Sequence, residues 1–443
     1  MNVKGCKIMK IFPDTLPNPA KSWWREAGEV GGRYPQLQEN IETDTLIIGA
    51  GLTGLSCAYY LSKDNTSCVV IEAGEVGWGA SGRNGGQVIP GLKLNPHEIE
   101  QLFSDDLAEK INTLAGTSAD RTFSLIEELG IECQHRRTGW IQGAHSKESL
   151  KVAHDRAQQW SERGAHITLL DKSSIYEEIG GGDYCGGWID HRGGSVQPYL
   201  YTRGLGEKVA KLGVRIYERT KAEDYKRSGS EWVVTSEKGI ITCKNIVFAT
   251  NGYSDTIEPK IKKSVIPMLS LQGATEPLTD VQLEKILPNR RVVSETRRLL
   301  NYYHIDSNGR LLFGSTSNFR HVPSLNDNER LKREISKKFP QLESVNLDYT
   351  WNGRLAITKQ HLPKLQRIHK GVYAGYGFNG RGVALSTVMG EQLSLLVRGA
   401  SESELSFPLT LPEPYVFQNL HAPVADMLLR IYKIQDLFEM RFN

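Results

Sequence analysis

The sequence predicts an α/β protein, α+β overall, in which a discontinuous doubly wound domain is interleaved with a second domain built on an antiparallel sheet plus helices. Three observations lead there. An apolar run at 45–48 ends in Gly49-Ala50-Gly51-Leu52-Thr53-Gly54, a helix-like segment follows, and a second apolar run, 69–71, ends in Glu72. Residues 371–398 repeat the order of strand, glycine loop and helix, with an apolar stripe at Leu385, Val388, Met389, Leu393 and Leu396. Residues 260–360 read as an antiparallel sheet, in which runs at 299–304 and 310–314 flank Ser307-Asn308-Gly309, and Asn-Gly is the strongest short hairpin signal.

The first stretch has the form a dinucleotide requires, which makes the domain Rossmann-like. Gly49 lets the chain turn after the strand, Gly51 brings the backbone near a pyrophosphate, and Gly54 lets the helix lie close to the strand. Ala50, Leu52 and Thr53 complete the turn, whose helix N-terminus carries partial positive charge. Glu72, with Ala73 after it, ends the next strand eighteen residues past Gly54, where a carboxylate accepts from ribose hydroxyls.

Length and composition narrow the class. The chain has 443 residues, 39% hydrophobic and 24% charged, with a net charge of +3. That is enough to bury a large core in two domains, and it offers no basic tail for nucleic acid. Six scattered cysteines without CxxC spacing point to a reducing, cytoplasmic setting with no disulfide framework and no metal site. Lys4, Lys7 and Lys10 precede no long apolar run, so neither a signal peptide nor a membrane span is expected.

The expected organisation is an arm at 1–43, whose Trp23 and Trp24 dock on the body; a cofactor domain at 44–90, 196–255 and 365–400; a substrate domain at 91–195 and 256–364; and an extension at 401–443. Residues 98–163 read as helical, interrupted by a strand-like 139–143. A helix at 199–211, a strand at 214–217, a hairpin through 228–230 and a strand at 245–249 follow. Val424, Met427, Leu428, Ile431 and Phe438 give the extension an amphipathic helix, with a peripheral membrane or subunit contact as its alternative use.

Three loops point to FAD rather than a nicotinamide. Trp78 to Gln87 is rich in glycine and small polar residues: Ala80, Ser81, Gly82, Arg83, Asn84, Gly85 and Gly86 form a loop able to lie flat on a bulky ligand, with Arg83 adding charge. Ala249-Thr250-Asn251-Gly252 is a small-residue crossing at a strand end. Gly377-Phe378-Asn379-Gly380-Arg381-Gly382-Val383 opens a helix whose dipole would stabilise negative charge on a reduced flavin.

With these loops the chain resembles the D-amino-acid oxidase-type family of FAD-dependent oxidoreductases, and within it the γ-glutamylputrescine oxidase branch. The stretches that carry the likeness are 22–24, 72–87, 350–354 and 375–382. The resemblance implies one FAD-binding domain, one substrate domain, and oxidation of an amine or amino-acid C–N bond by hydride transfer to flavin N5, followed by hydrolysis. It places the Ala222 amide near adenine. Some relatives hold flavin covalently through His or Cys near the ring; loop 78–87 has neither, so non-covalent FAD is expected. Oxygen and a quinone-type carrier both stay open as acceptors, as does the oligomeric state.

Candidate substrate-pocket residues are Gln272, Tyr302, Tyr303, His304, Trp351, Arg354, Tyr376 and Phe378, with Arg297 and Arg298 as further carboxylate partners. Alternation sets Tyr303 on the face opposite Tyr302 and His304. No catalytic triad is expected, because orientation and desolvation of a neutral amine suffice. The competing readings are a D-amino-acid dehydrogenase or glycine oxidase, a flavin-dependent RNA-modification domain, and a non-catalytic flavoprotein.

Overall fold

A computed structural model describes residues 22–28, 32–254, 256–316 and 325–415. The amphipathic helix expected at 423–442, and the arm before residue 22, lie outside the described residues.

Alternating burial builds the first sheet. In Ile41–Ile48 and Cys68–Ile71, side chains point to opposite faces in turn. Ile47, Cys68 and Val70 enter one core cluster, whereas Leu46, Ile48, Val69 and Ile71 enter another. Strands buried on both faces suit a parallel sheet covered on both sides. Arg215–Tyr217, Cys68–Ile71, Ile41–Ile48, Gly239–Phe248 and Val372–Tyr376 lie side by side in that order, all parallel. Lys364–His369 adds an antiparallel strand, and the hairpin Ala222–Ser228/Glu231–Ser236 branches from Gly239–Phe248.

Helices Leu52–Lys63, Pro198–Lys211 and Gly382–Val397 cover one face. Their approach is set by glycine. A Cβ on Gly54 would sit 2.0 Å from the Gly49 carbonyl oxygen, and one on Gly390 would sit 2.5 Å from Ser56 Cβ. Each buried aliphatic side chain in this core contributes roughly 1.5–3 kcal/mol over leaving it exposed.

The helical segment expected at 98–163 is in place, and its early helices pack on the first sheet's core. Helices Asp105–Gly116 and Ser118–Glu128 send Ile111, Leu114, Phe123 and Ile126 into the same core as Leu55 and Leu393. An apolar stripe is non-directional, so the sequence does not say which core it joins.

The second sheet has the order Leu347–Ile357, Ile266–Pro277, Arg310–Thr316, Tyr302–Ile305, Val292–Glu295, Trp140–Ala144, Gly186–Asp190, Ile167–Leu170. It is antiparallel except where Val292–Glu295 meets Trp140–Ala144. The Asn308-Gly309 hairpin forms where the sequence puts it: Gly309 has φ +73°, and Asp306 accepts the Asn308 and Arg310 amides at 2.9 and 2.8 Å. Helix Leu325–Lys338, which interrupts the segment read as sheet, buries Leu331 and Ile335 on Phe339.

The two tryptophans dock as expected. Trp23 and Trp24 are buried with Leu312 and Trp351, and Trp23 Nε1 donates to Asp306 at 2.6 Å.

Candidate active site

A cavity of about 950 Å³ is lined from both sheets. On the first sheet's side its wall holds the glycine turn Gly49 to Thr53, then Glu72, Ala73, Ala222, Ala249 and Thr250. Ala80, Ser81, Arg83, Asn84, Gly85 and Gln87 join them from the loop, and Phe378 to Val383 from the start of helix Gly382–Val397.

Five glycines expected at the ligand stand behind this wall instead. Gly54, Gly82, Gly86, Gly252 and Gly377 are absent from the lining, and each packs too close to a neighbour for a side chain. A Cβ on Gly82 would meet the Gly77 oxygen at 2.1 Å, one on Gly86 the Val196 oxygen at 2.4 Å, and one on Gly377 Thr358 Cγ2 at 2.3 Å. Gly252 crosses the backbone at Leu355.

Glu72 joins the strand end to the glycine turn. Its carboxylate accepts the Ala50 and Gly74 amides, both at 2.9 Å. Burial pushes its pKa up, and those amides pull it back. Ser81 reaches across to accept the Leu52 amide at 2.9 Å, and a Cβ on Gly51 would lie 2.7 Å from Ser81 Oγ. A cradle this narrow, at the N-terminus of a helix whose N-cap Gly51 offers no side chain, fits a pyrophosphate.

Three distant elements hold three successive carbonyls of the loop. Trp351 Nε1 donates to Arg83 O at 2.9 Å, Trp24 Nε1 to Asn84 O at 2.8 Å, and His304 Nε2 bonds Gly85 O at 3.0 Å. The last bond requires a proton on Nε2. Burial pushes the His304 pKa down, against a pull up from Asp306. His304 and Trp351 are off the cavity wall, a correction to their expected place: His304 Nε2 and Trp351 Nε1 are committed to the loop. Asn84 and Arg83 are also committed. Asn84 bonds the Ala80 and Ser81 carbonyls and the Gly86 amide, and Arg83 Nε donates to Trp78 O at 2.7 Å.

Of the substrate candidates, Gln272, Tyr302 and Phe378 line the cavity. The Tyr302 hydroxyl meets Ser270 Oγ at 2.5 Å and Gln272 Nε2, and burial pushes its pKa up to about 12. Gly85 and Gly314 make room for the ring; Cβ atoms there would come within 2.5 and 2.1 Å of it.

Tyr303, Tyr376 and Arg354 are corrected off the wall. Tyr303 points to the opposite face, bonds Tyr184 at 2.7 Å and stacks on Phe313. Tyr376 donates to Gln366 at 2.6 Å in the other core. Arg354 donates to Gly252 O at 3.4 Å and lies over the Tyr253 ring, leaving Leu355 on the cavity side. Arg297 pairs with Glu295 at 3.1 Å, while Arg298 lines the cavity.

The sequence did not single out Lys93, Gln142, Ser294, Glu295, Leu355 or His361, all of which line the cavity. Glu295 sits in a buried network with Lys338, Arg297 and Tyr184, and also accepts the Asn301 amide at 3.2 Å. Burial pushes this carboxyl up, but Lys338 and Arg297 outweigh it and hold the pKa at about 2.

Among the described residues no group of three or more His, Cys, Asp and Glu is placed to hold a metal, and no helix is long and apolar enough to cross a membrane.

The family of FAD-dependent oxidoreductases called DAO matches residues 44–396. Gamma-glutamylputrescine oxidoreductase of Escherichia coli (strain K12) is 29% identical over 409 residues, covering 91% of this chain and 95% of the relative. Glycine oxidase from Geobacillus kaustophilus superposes with a TM-score of 0.69 at 21% identity, over 81% of this chain and 95% of that one. L-alpha-glycerophosphate oxidase from Mycoplasma pneumoniae, solved with FAD bound, gives 0.65 at 14% identity, over 81% and 95%. The glycine turn, the loop beside it and the family match over most of the chain lead to one conclusion: this protein belongs to the DAO family and is an FAD-dependent oxidoreductase.

Proposed function

We propose that the chain oxidises the primary amine of a γ-glutamylputrescine-type conjugate to an imine, which water then hydrolyses to an aldehyde and ammonia. The observation that carries this reading is the near full-length likeness to gamma-glutamylputrescine oxidoreductase. The cavity supports it: Arg354 is turned toward Gly252 and Leu355 takes its place on the wall, so strand Leu347–Ile357 presents apolar side chains there rather than the Arg354 cation.

Bound FAD supplies the two-electron acceptor. In this assignment the glycine turn, Ser81 and the helix at Leu52 take its diphosphate, Glu72 a ribose, Ala222 the adenine, and residues 378–383 the ring. The strands at 44–90, 196–255 and 365–400 form the cofactor domain; those at 91–195 and 256–364 form the substrate domain. Tyr302, its hydroxyl kept protonated and steered by Ser270 and Gln272, orients the amine. The apolar wall favours the neutral amine, whose proton leaves to water before the C–H bond is broken. FAD is held without a covalent link in this reading, because loop 78–87 has no His or Cys. The described cysteines are free thiols, in keeping with a cytoplasmic enzyme. Oxygen or a quinone-type carrier takes the electrons onward.

Anaerobic addition of γ-glutamylputrescine to the purified holoenzyme is expected to bleach the oxidised flavin band, and acid precipitation to leave the yellow colour in the supernatant. Arg298 on the wall favours a second reading, an α-amino-acid oxidoreductase. Bleaching by glycine or a D-amino acid, but not by the conjugate, would establish that instead.

A further inference from the structure

Lys93 is a cation on the cavity wall that the steps above leave without a task. It lies just before helix Pro96–Leu102, in a turn pinned from behind. The Arg156 guanidinium bonds the Lys93 carbonyl and the Asn95 side chain, and Glu98 accepts the Asn95 amide at 2.7 Å. The side chain is exposed, and it lines the cavity. Its ammonium has no hydrogen-bond partner among the described residues.

Arg381 and His361 share this wall. Arg381 is the N-cap of helix Gly382–Val397, donates to Pro90 O at 2.5 Å and lies over Trp140. Acids reach the neighbouring arginines, Glu98 toward Arg156 and Asp190 toward Arg381. What acts on Lys93 is of one sign: burial, then Arg381 and Arg156, push its pKa down to about 8, and Lys93 in turn pushes His361 down, after burial. The helix N-terminus adds positive potential. Lys93 and Arg381, held beside the cavity, gain when an anion enters it, and a neutral His361 can add a hydrogen bond.

We infer that Lys93, with Arg381 and His361 beside it, receives a carboxylate that the amine substrate carries at a distance from the nitrogen being oxidised. This rests on the amine oxidation proposed above and names the other end of that substrate; a γ-glutamyl head carries such a carboxylate. The ammonium is charged below about pH 8 and loses its charge as pH rises through that value, so head-group binding weakens from pH 7 to pH 9.

The test compares two amines that share a reacting end, γ-glutamylputrescine and N-acetylputrescine, on the holoenzyme. Lys93→Met is expected to raise KM for the first by about tenfold or more while leaving kcat, and both constants for the second, within about twofold. Lys93→Arg should keep the preference. Binding of γ-glutamylpropylamide, which keeps the head and lacks the terminal amine, is read by flavin difference spectra and should weaken by the same factor in Lys93→Met. An unchanged KM ratio in an active Lys93→Met enzyme overturns the inference, as does loss of flavin from that variant, which would assign Lys93 to the cofactor. A wild-type enzyme that oxidises neither amine overturns the amine reading instead.

Discussion

The two walls of the cavity are built on different principles. On the first sheet's side, backbone does the work: Gly49, Gly51 and Gly54 shape a turn whose function depends on the absence of side chains. On the second sheet's side, side chains far apart in sequence converge: Gln272, Tyr302 and Arg298 come from separate strands and turns, and Lys93 from a loop. A backbone cradle fits any ligand with a diphosphate, whereas a side-chain wall selects one substrate among many. The difference explains how a family keeps one cofactor and varies its chemistry.

Four experiments bear on that contrast, in decreasing order of effect. Gly54→Val should abolish the holoenzyme, because its Cβ would fall 2.0 Å from the Gly49 oxygen. Overpacking of this kind costs about 1–3 kcal/mol or more, and absorbance at the flavin band together with thermal melting reads it. A yellow Gly54→Val protein with wild-type stability would break the account of the backbone wall.

Trp24→Phe removes the donor to the part-buried Asn84 O, at a cost of about 1 kcal/mol or more. FAD affinity should fall by roughly tenfold or more on that scale, followed by flavin fluorescence on dilution. Unaltered affinity would show that the tryptophan segment only covers the core. Tyr302→Phe tests the opposite wall: flavin content should stay as in wild type while kcat/KM falls about tenfold, the value of one lost orienting hydrogen bond. Loss of flavin there would blur the distinction between the walls.

The smallest effect concerns Glu295. Its folded pKa of about 2 lies below the ordinary carboxyl value of 4.5, so between these values the unfolded chain binds more protons. Its contribution to stability is present above about pH 4.5 and is lost as pH falls toward 2. Urea midpoints of wild type should drop through that window, and Glu295→Gln should drop less steeply.

The residues that the sequence singles out for FAD in the glycine turn, at Glu72, in the loop at 80–87, at Ala222 and at 378–383 line the cavity, all but the structural glycines. Local sequence suffices there because a turn, a strand end and a helix start impose their residue types within a few positions. It did less well with Tyr303, His304, Trp351, Arg354 and Tyr376. Those are aromatic or charged residues near the right strands, and the face a side chain takes depends on register and on what stands across the sheet.

What the amino-acid order determined by itself is the cofactor class, the alternation of strand and helix, and the hairpin at Asn308-Gly309, since each follows from short-range backbone geometry. Tertiary structure alone decided that helices Asp105–Gly116 and Ser118–Glu128 join the first core, that His304 and two tryptophans hold the loop at 80–87, and that Lys93 lines the cavity. Those outcomes arise from contacts between residues far apart in the chain. Hydrophobic burial and long-range electrostatics carry no marker in sequence of which partner they will meet.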